Sequence, residues 1–128
     1  MRFLVDTHLL IWAAERAELL SPRAQAAMED EANELVFSVV SLWEFVVKKG
    51  TGRSGFRGEA SDLRRGLLEN GYAELTVSAA HVLAVGTLPF VHYDPFDRLL
   101  IAQARVEGLT FLTADAAVAR YPGAILRV

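Results

Sequence analysis

Short apolar runs alternate with longer amphipathic stretches along this chain. Arg2-Phe-Leu-Val5 is stopped by Asp6 and reads as a short buried strand, and residues 7–15, apolar at Leu9, Leu10, Trp12 and Ala13, read as a helix. Ser21-Pro22 supplies an N-cap and a proline at the first helical position, which predicts a helix to about Ala32. Glu34 to Ser38 reads as a second strand. Ser38 or Ser41 then caps a helix through Leu42-Trp-Glu-Phe-Val-Val47 that stops at Gly50. Glycines at 50, 52, 55 and 58 predict a flexible loop, followed by a helix from about Glu59 to Glu69. Asn70-Gly71 turns the chain into a strand at 73–77, and Ser78 opens a short helix ending near Gly86. Asp94-Pro95 starts a strong helix closed by Gly108. Strands at 109–113 and 124–128, with a brief helical turn from Asp115, complete the pattern.

Strands in alternation with helices imply a mainly parallel α/β sheet of four to five short strands, covered by helices on both faces. The 128 residues fit one domain, 1–128, and no repeat or linker divides them. Apolar residues make up 52% and charged residues 23%, a composition that builds a core and excludes disorder. The absence of cysteine excludes disulfides, thiolate metal sites and a cysteine nucleophile. The longest apolar run, Leu9 to Ala14, is far below the roughly 18 residues of a membrane helix, and Asp6 interrupts any signal-peptide pattern. A cytoplasmic protein with no membrane partner is expected.

The formal charge of −3 argues against a generic nucleic-acid binder, but its distribution is uneven. Over residues 48–65 six basic residues face two acidic ones, a net +4, while the rest of the chain carries −7. Such a stretch marks either a local phosphate-binding surface or a solvated loop and helix face.

In open α/β sheets the ligand crevice lies beyond the carboxyl ends of the strands. Four acids fall there by position. Asp6 follows the first strand, Asp115 the strand ending at Thr113, Asp97 lies in the first turn of the helix after Asp94, and Glu44 sits between Trp43 and Phe45. Each also has a plainer reading. Asp6 and Asp115 serve as N-caps, Asp97 favours the helix dipole, and Glu44 pairs with Lys48 four residues on along an exposed face. Together, four acids at one sheet end with no dedicated basic partner would repel one another unless a dication joined them. Oxygen-only ligation points to Mg²⁺, with Mn²⁺ as its substitute, and to phosphoryl chemistry.

The motifs Leu4-Val-Asp6-Thr7-His8, Ser38-Val-Val-Ser41-Leu-Trp43-Glu44, His92-Tyr-Asp94-Pro-Phe-Asp97-Arg98-Leu-Leu-Ile-Ala-Gln-Ala104 and Thr113-Ala-Asp115 run in one order over residues 4–115. In this the chain resembles the PIN domain family, and within it the VapC-type toxins of toxin–antitoxin pairs. The resemblance implies a metal-dependent endoribonuclease restrained by a cognate antitoxin. It also implies Asp6, Glu44, Asp97 and Asp115 as the acidic quartet, with Thr7 and Thr113 as polar supporters. Asp94 is read as a supporting residue, the cap of its helix more than a metal ligand, and His92 and His8 as hydrogen-bonded supporters more than general bases. One departure stands out: many relatives have a Lys-rich helix end and a Gly-Lys-Leu turn after this glutamate, where this chain has the Gly- and Arg-rich segment from Lys48 to Arg57.

The expected arrangement has Asp6, Glu44 and Asp97 around one Mg²⁺, directly or through water, with Asp115 completing or bridging a second, weaker position. Water attacks the phosphodiester in line and no side chain serves as nucleophile. Lys48, Lys49, Arg53 and Arg57 are the candidate RNA-binding residues. An aspartyl phosphatase would want Asp at position 8, where His8 stands, and a receiver domain would want a lysine after a later strand, whereas every lysine lies at 48–49. The alternative that stays open is a catalytically inactive, metal-binding interaction module. The helices at 7–15 and after Ser21 are candidate faces for an antitoxin segment or for self-association into a homodimer or higher oligomer.

Overall fold

The structure, a computed structural model, describes residues 1–52 and 57–128. Among them, five strands alternate with six helices: β1 (Arg2–Val5), α1 (Thr7–Glu15), α2 (Pro22–Glu29), β2 (Glu34–Ser38), α3 (Val39–Gly50), α4 (Ala60–Glu69), β3 (Ala73–Leu75), α5 (Ala79–Val85), α6 (Pro95–Glu107), β4 (Thr110–Thr113) and β5 (Ile125–Arg127). Short 3-10 turns at Ala17–Leu19 and Val118–Arg120 join them. The strands form one sheet in the order β3-β2-β1-β4-β5, and every pairing is parallel. The expected α/β class is therefore observed, at the upper end of the expected strand number.

The period-2 alternation of each strand sorts its side chains between two cores. Leu4 sits in register with Val36 and Phe111, and these three join Leu100, Ile101 and Ala104 of α6 on one face. Phe3, Val5, Phe37 and Leu112 point the other way, against Leu9 and Leu10 of α1 and Leu63 and Leu67 of α4. α3 lies across the end of the sheet and contributes Val40 to the first core and Phe45 to the second.

Several boundaries differ from expectation for local reasons. α2 stops at Glu29 rather than near Ala32, because the Asp30 carboxylate accepts the Ala32 N–H at 2.9 Å and its carbonyl accepts from Asn33, closing a turn. β3 ends at Leu75 rather than at 77. Its partner in the ladder, Ser38, is already the N-cap of α3, so no strand remains for residues 76–77 to pair with. Gly108 ends α6 at φ 68°, the left-handed cap that glycine takes without strain. No helix among the described residues is long and apolar enough to cross a membrane.

Sheet order places the crevice. From β1 the chain moves outward to β2 and β3, then returns to the other side for β4 and β5. The switch point lies between β1 and β4, and in sheets of this kind the ligand site lies beyond the carboxyl ends of the strands there.

Candidate metal centre

Asp6 ends β1 at that switch point. It is the N-cap of α1: its Oδ1 accepts the Thr7 N–H at 2.7 Å, and its Oδ2 accepts the Thr113 hydroxyl from the end of β4 at 2.7 Å. Thr7 in turn shares a 2.8 Å hydrogen bond with Ser41 of α3. The two threonines expected as supporters thus hold Asp6 against α3 and β4. Burial pushes the Asp6 carboxyl up to about 6, and the Glu44 charge adds to this, while the Thr113 hydrogen bond and His8 oppose it.

Glu44 is buried, at 1% exposure. Its sequence neighbours do not explain this. Trp43 turns outward, half-exposed, onto the Phe96 ring. The stripe that carries Glu44 inward is Val40, Ser41 and Glu44, residues three and four apart on one face of α3. Lys48, one turn further, places its ammonium on Glu44 Oε2. This corrects the expectation that the acids lack a basic partner. Burial alone would lower the Lys48 pKa, but the Glu44 contact, with the charges of Asp94 and Asp97, holds it above its ordinary value. Glu44 Oε1 has no partner, and it is the single such buried side-chain atom among the described residues.

α6 brings two more carboxylates. Asp94 caps the helix, its Oδ1 accepting the N–H groups of Phe96 and Asp97 at 2.9 and 3.2 Å. Asp97 Oδ2 meets His92 Nε2 at 3.1 Å, and His92 Nδ1 meets the Tyr121 hydroxyl at 2.8 Å. Oxygens of Glu44, Asp94 and Asp97 all lie within 4.8 Å of one another. At that spacing each charged pair repels by about 3–4 kcal/mol at a protein-like dielectric. Burial, then the charges of Asp6, Asp94, Glu44 and Asp115, push Asp97 up to about 8. One lysine cannot neutralise this group. Three carboxylates with clustered oxygens, one of which also carries a buried oxygen without a partner, fit a hard dication.

The grouping differs from the expected quartet in three respects. Asp94 joins it while capping its helix. Asp115 lies exposed, its Oδ1 accepting the Ala117 N–H at 2.8 Å, and only its charge reaches Asp97. Asp6 also lies outside the cluster of three and is linked to Glu44 and Asp97 through charge. Sequence reasoning placed Asp94 among the supporting residues, as a cap more than a ligand, because one residue has two oxygens: the capping oxygen was legible, the other was not. Of the basic residues at 48–65, Lys48 pairs with Glu44, Lys49 with Glu59, Arg64 with Glu74 and Arg65 with Asp62. Arg57 is exposed, with no ion pair among the described residues, and Arg53 lies outside them. His8 is exposed near the Trp12 ring.

The PIN domain family model matches residues 3–124. The chain belongs to the PIN domain family. No curated protein matches it significantly in sequence. Its fold is similar to that of VapBC2 from Rickettsia felis bound to a DNA fragment from its promoter, with a TM-score of 0.73 and 16% identity over 100% of this chain and 99% of that one. It is also similar to a toxin–antitoxin complex from Klebsiella pneumoniae, TM-score 0.65 and 15% identity, covering 96% of this chain and 94% of that one. VapBC-1 from nontypeable Haemophilus influenzae aligns at TM-score 0.53 and 16% identity, covering 94% and 91%. At these identities the likeness is one of fold.

Lys48 and a bound dication would compete for the same PIN-domain carboxylates. Lys48→Met is therefore expected to tighten Mg²⁺ binding in a calorimetric titration. The same change should lower the melting temperature of the metal-free protein, costing on the order of 2–3 kcal/mol, because Glu44 would lose its counter-charge. The cost stays below that of a fully buried pair because the Lys48 side chain is 28% exposed. Unchanged Mg²⁺ affinity would show that Lys48 does not contend for the site.

Proposed function

We propose that this PIN domain is the toxin of a toxin–antitoxin pair, an endoribonuclease that hydrolyses RNA phosphodiester bonds with Mg²⁺ or Mn²⁺. The observation that carries the reading is the cluster of Glu44, Asp94 and Asp97, together with the buried, unpartnered Oε1 of Glu44. Glu44, Asp94 and Asp97 would hold the cation, with the charges of Asp6 and Asp115 adding to the field there. A dication held there supplies charge for the phosphate and a more acidic water. The chain does the rest. Thr7 and Thr113 fix Asp6, His92 orients Asp97, and Asp94 ties the cluster to the first turn of α6. No serine, threonine or cysteine is needed as nucleophile.

The toxin reading is supported by family membership and by fold likeness to VapBC complexes. An antitoxin partner suits the groove of about 580 Å³ between α1, α2 and α4, lined by Ala13, Ala14, Leu20, Met28 and Leu67. A cytoplasmic location follows from the same reading.

The test is incubation of the pure protein with RNA in Mg²⁺, in EDTA, and with a Glu44→Gln variant. Cleavage in Mg²⁺ alone, lost in EDTA and in the variant, is expected. Metal binding by calorimetry without cleavage under any condition would instead assign an inactive interaction module.

A further inference from the structure

Two aromatic rings stand out in solvent beside the carboxylate cluster. Tyr93 is 84% exposed and Phe90 66% exposed, and Tyr93 directly precedes Asp94. Single exposed aromatics are ordinary, but these two are paired edge to face, with centroids 4.8 Å apart and planes at 81°. Their segment is pinned at both ends. Arg98 donates to the Pro89 carbonyl and to the Tyr121 hydroxyl, each at 3.0 Å, and lies over the Phe90 ring at 5.4 Å. The His92 N–H and ring bind the same Tyr121 hydroxyl, and Asp94 begins α6. The backbone thus holds the rings outward rather than letting them fold onto the core.

The charge arrangement leaves a task for such rings. Four of the six basic residues in the 48–65 stretch are already paired with acids, and the cluster itself is negative. Among the described residues Arg98, which lies over the Phe90 ring and donates to the neutral oxygens of Pro89, Val85 and Tyr121, is a cation in place at the rings. Stacking of bases on the aromatic faces adds to what that guanidinium offers a phosphate, and each stacked base contributes substantially to single-strand binding.

We propose that Tyr93 and Phe90 form a stacking platform for unpaired bases of single-stranded RNA, adjoining the Glu44–Asp94–Asp97 cluster. The proposal rests on the ribonuclease reading for the identity of the strand. Because stacking requires an open base, the platform takes single strands in preference to duplex.

The experiment measures fluorescence anisotropy of a labelled single-stranded oligoribonucleotide with the full chain, in EDTA so that no cleavage intervenes. Tyr93→Ala and Phe90→Ala are each expected to weaken binding about tenfold. Tyr93→Phe should retain it, and the corresponding duplex should bind more weakly. Circular dichroism verifies that each variant is folded. Equal affinity in the alanine variants, or no binding by the unaltered chain, overturns the platform. So does an effect confined to self-association, which would make the rings a protein contact. Cleavage in Mg²⁺ is scored separately. Cleavage by the unaltered chain with unaffected alanine variants sinks the platform alone, whereas ring-dependent binding without cleavage keeps the platform and sinks the nuclease reading.

Discussion

Asp97→Asn is expected to abolish Mg²⁺-dependent cleavage and, at the same time, to raise the melting temperature of the metal-free protein. The two effects share one cause. Asp97 is buried beside the carboxylates of Glu44 and Asp94, and its charge is opposed by Asp6 and Asp115 as well. An amide at this position carries no charge to desolvate and still presents an oxygen to His92. It relieves the repulsion that the empty cluster stores and removes a ligand from the filled one. Loss of the several kcal/mol that a dication supplies to the transition state corresponds to a rate decrease of roughly 10³-fold. RNA cleavage rates and calorimetric melting in EDTA at pH 8 provide the check. Lost activity together with a lowered melting temperature would show that Asp97 holds the fold rather than a cation.

The second large effect is on pH dependence. Burial raises Asp97 from 3.8 to about 8 and Asp6 from 3.8 to about 6. A folded-state pKa above the unfolded one means that the folded protein holds more protons between those values. Stability contributed by the neutral carboxyls is present below pH 4 and is lost as pH rises through about 6 for Asp6 and about 8 for Asp97. These two groups should make the metal-free protein less stable at pH 8 than at pH 5, on the order of a few kcal/mol. Mg²⁺ should reverse the trend, because it binds the ionised carboxylates, and its affinity should climb over the same interval. Melting curves at pH 5 and pH 8, with EDTA and with Mg²⁺, test this. A melting temperature independent of pH in EDTA, or equal stabilisation by Mg²⁺ at both values, would contradict the buried, crowded cluster.

The sequence was most legible where a short apolar run ended in an acid. Arg2-Phe-Leu-Val5 followed by Asp6, and Phe111-Leu-Thr113 followed by Asp115, marked the carboxyl ends of β1 and β4, and parallel topology then assigned both acids to one end of the sheet. Capping chemistry was equally plain at Ser21, Ser78 and Asp94, where a local hydrogen bond to the backbone determines the helix start. What periodicity does not encode is where a side chain's second atom points. Lys48 follows Glu44 by four residues whether the pair faces solvent or the interior, and only the burial of Val40 and Ser41 on the same stripe decides for the interior. Long-range polar contacts were equally hidden. Ser38, which also caps α3, donates to Gln103 at 2.5 Å across 65 residues, and Gln103 reaches the buried His81, whose other nitrogen meets Glu107 at 2.8 Å. No local pattern in those residues announces that network. β3 was overextended because its apolar residues continue to Val77 while its partner strand does not.

If Glu44, Asp94 and Asp97 form a dication site, anomalous diffraction from a crystal grown with Mn²⁺ will locate the ion. A manganese peak is expected within bonding distance of oxygens from all three residues, with the Lys48 ammonium displaced from Glu44. An anomalous map with no peak there, and Lys48 still seated on Glu44 at saturating manganese, would contradict it.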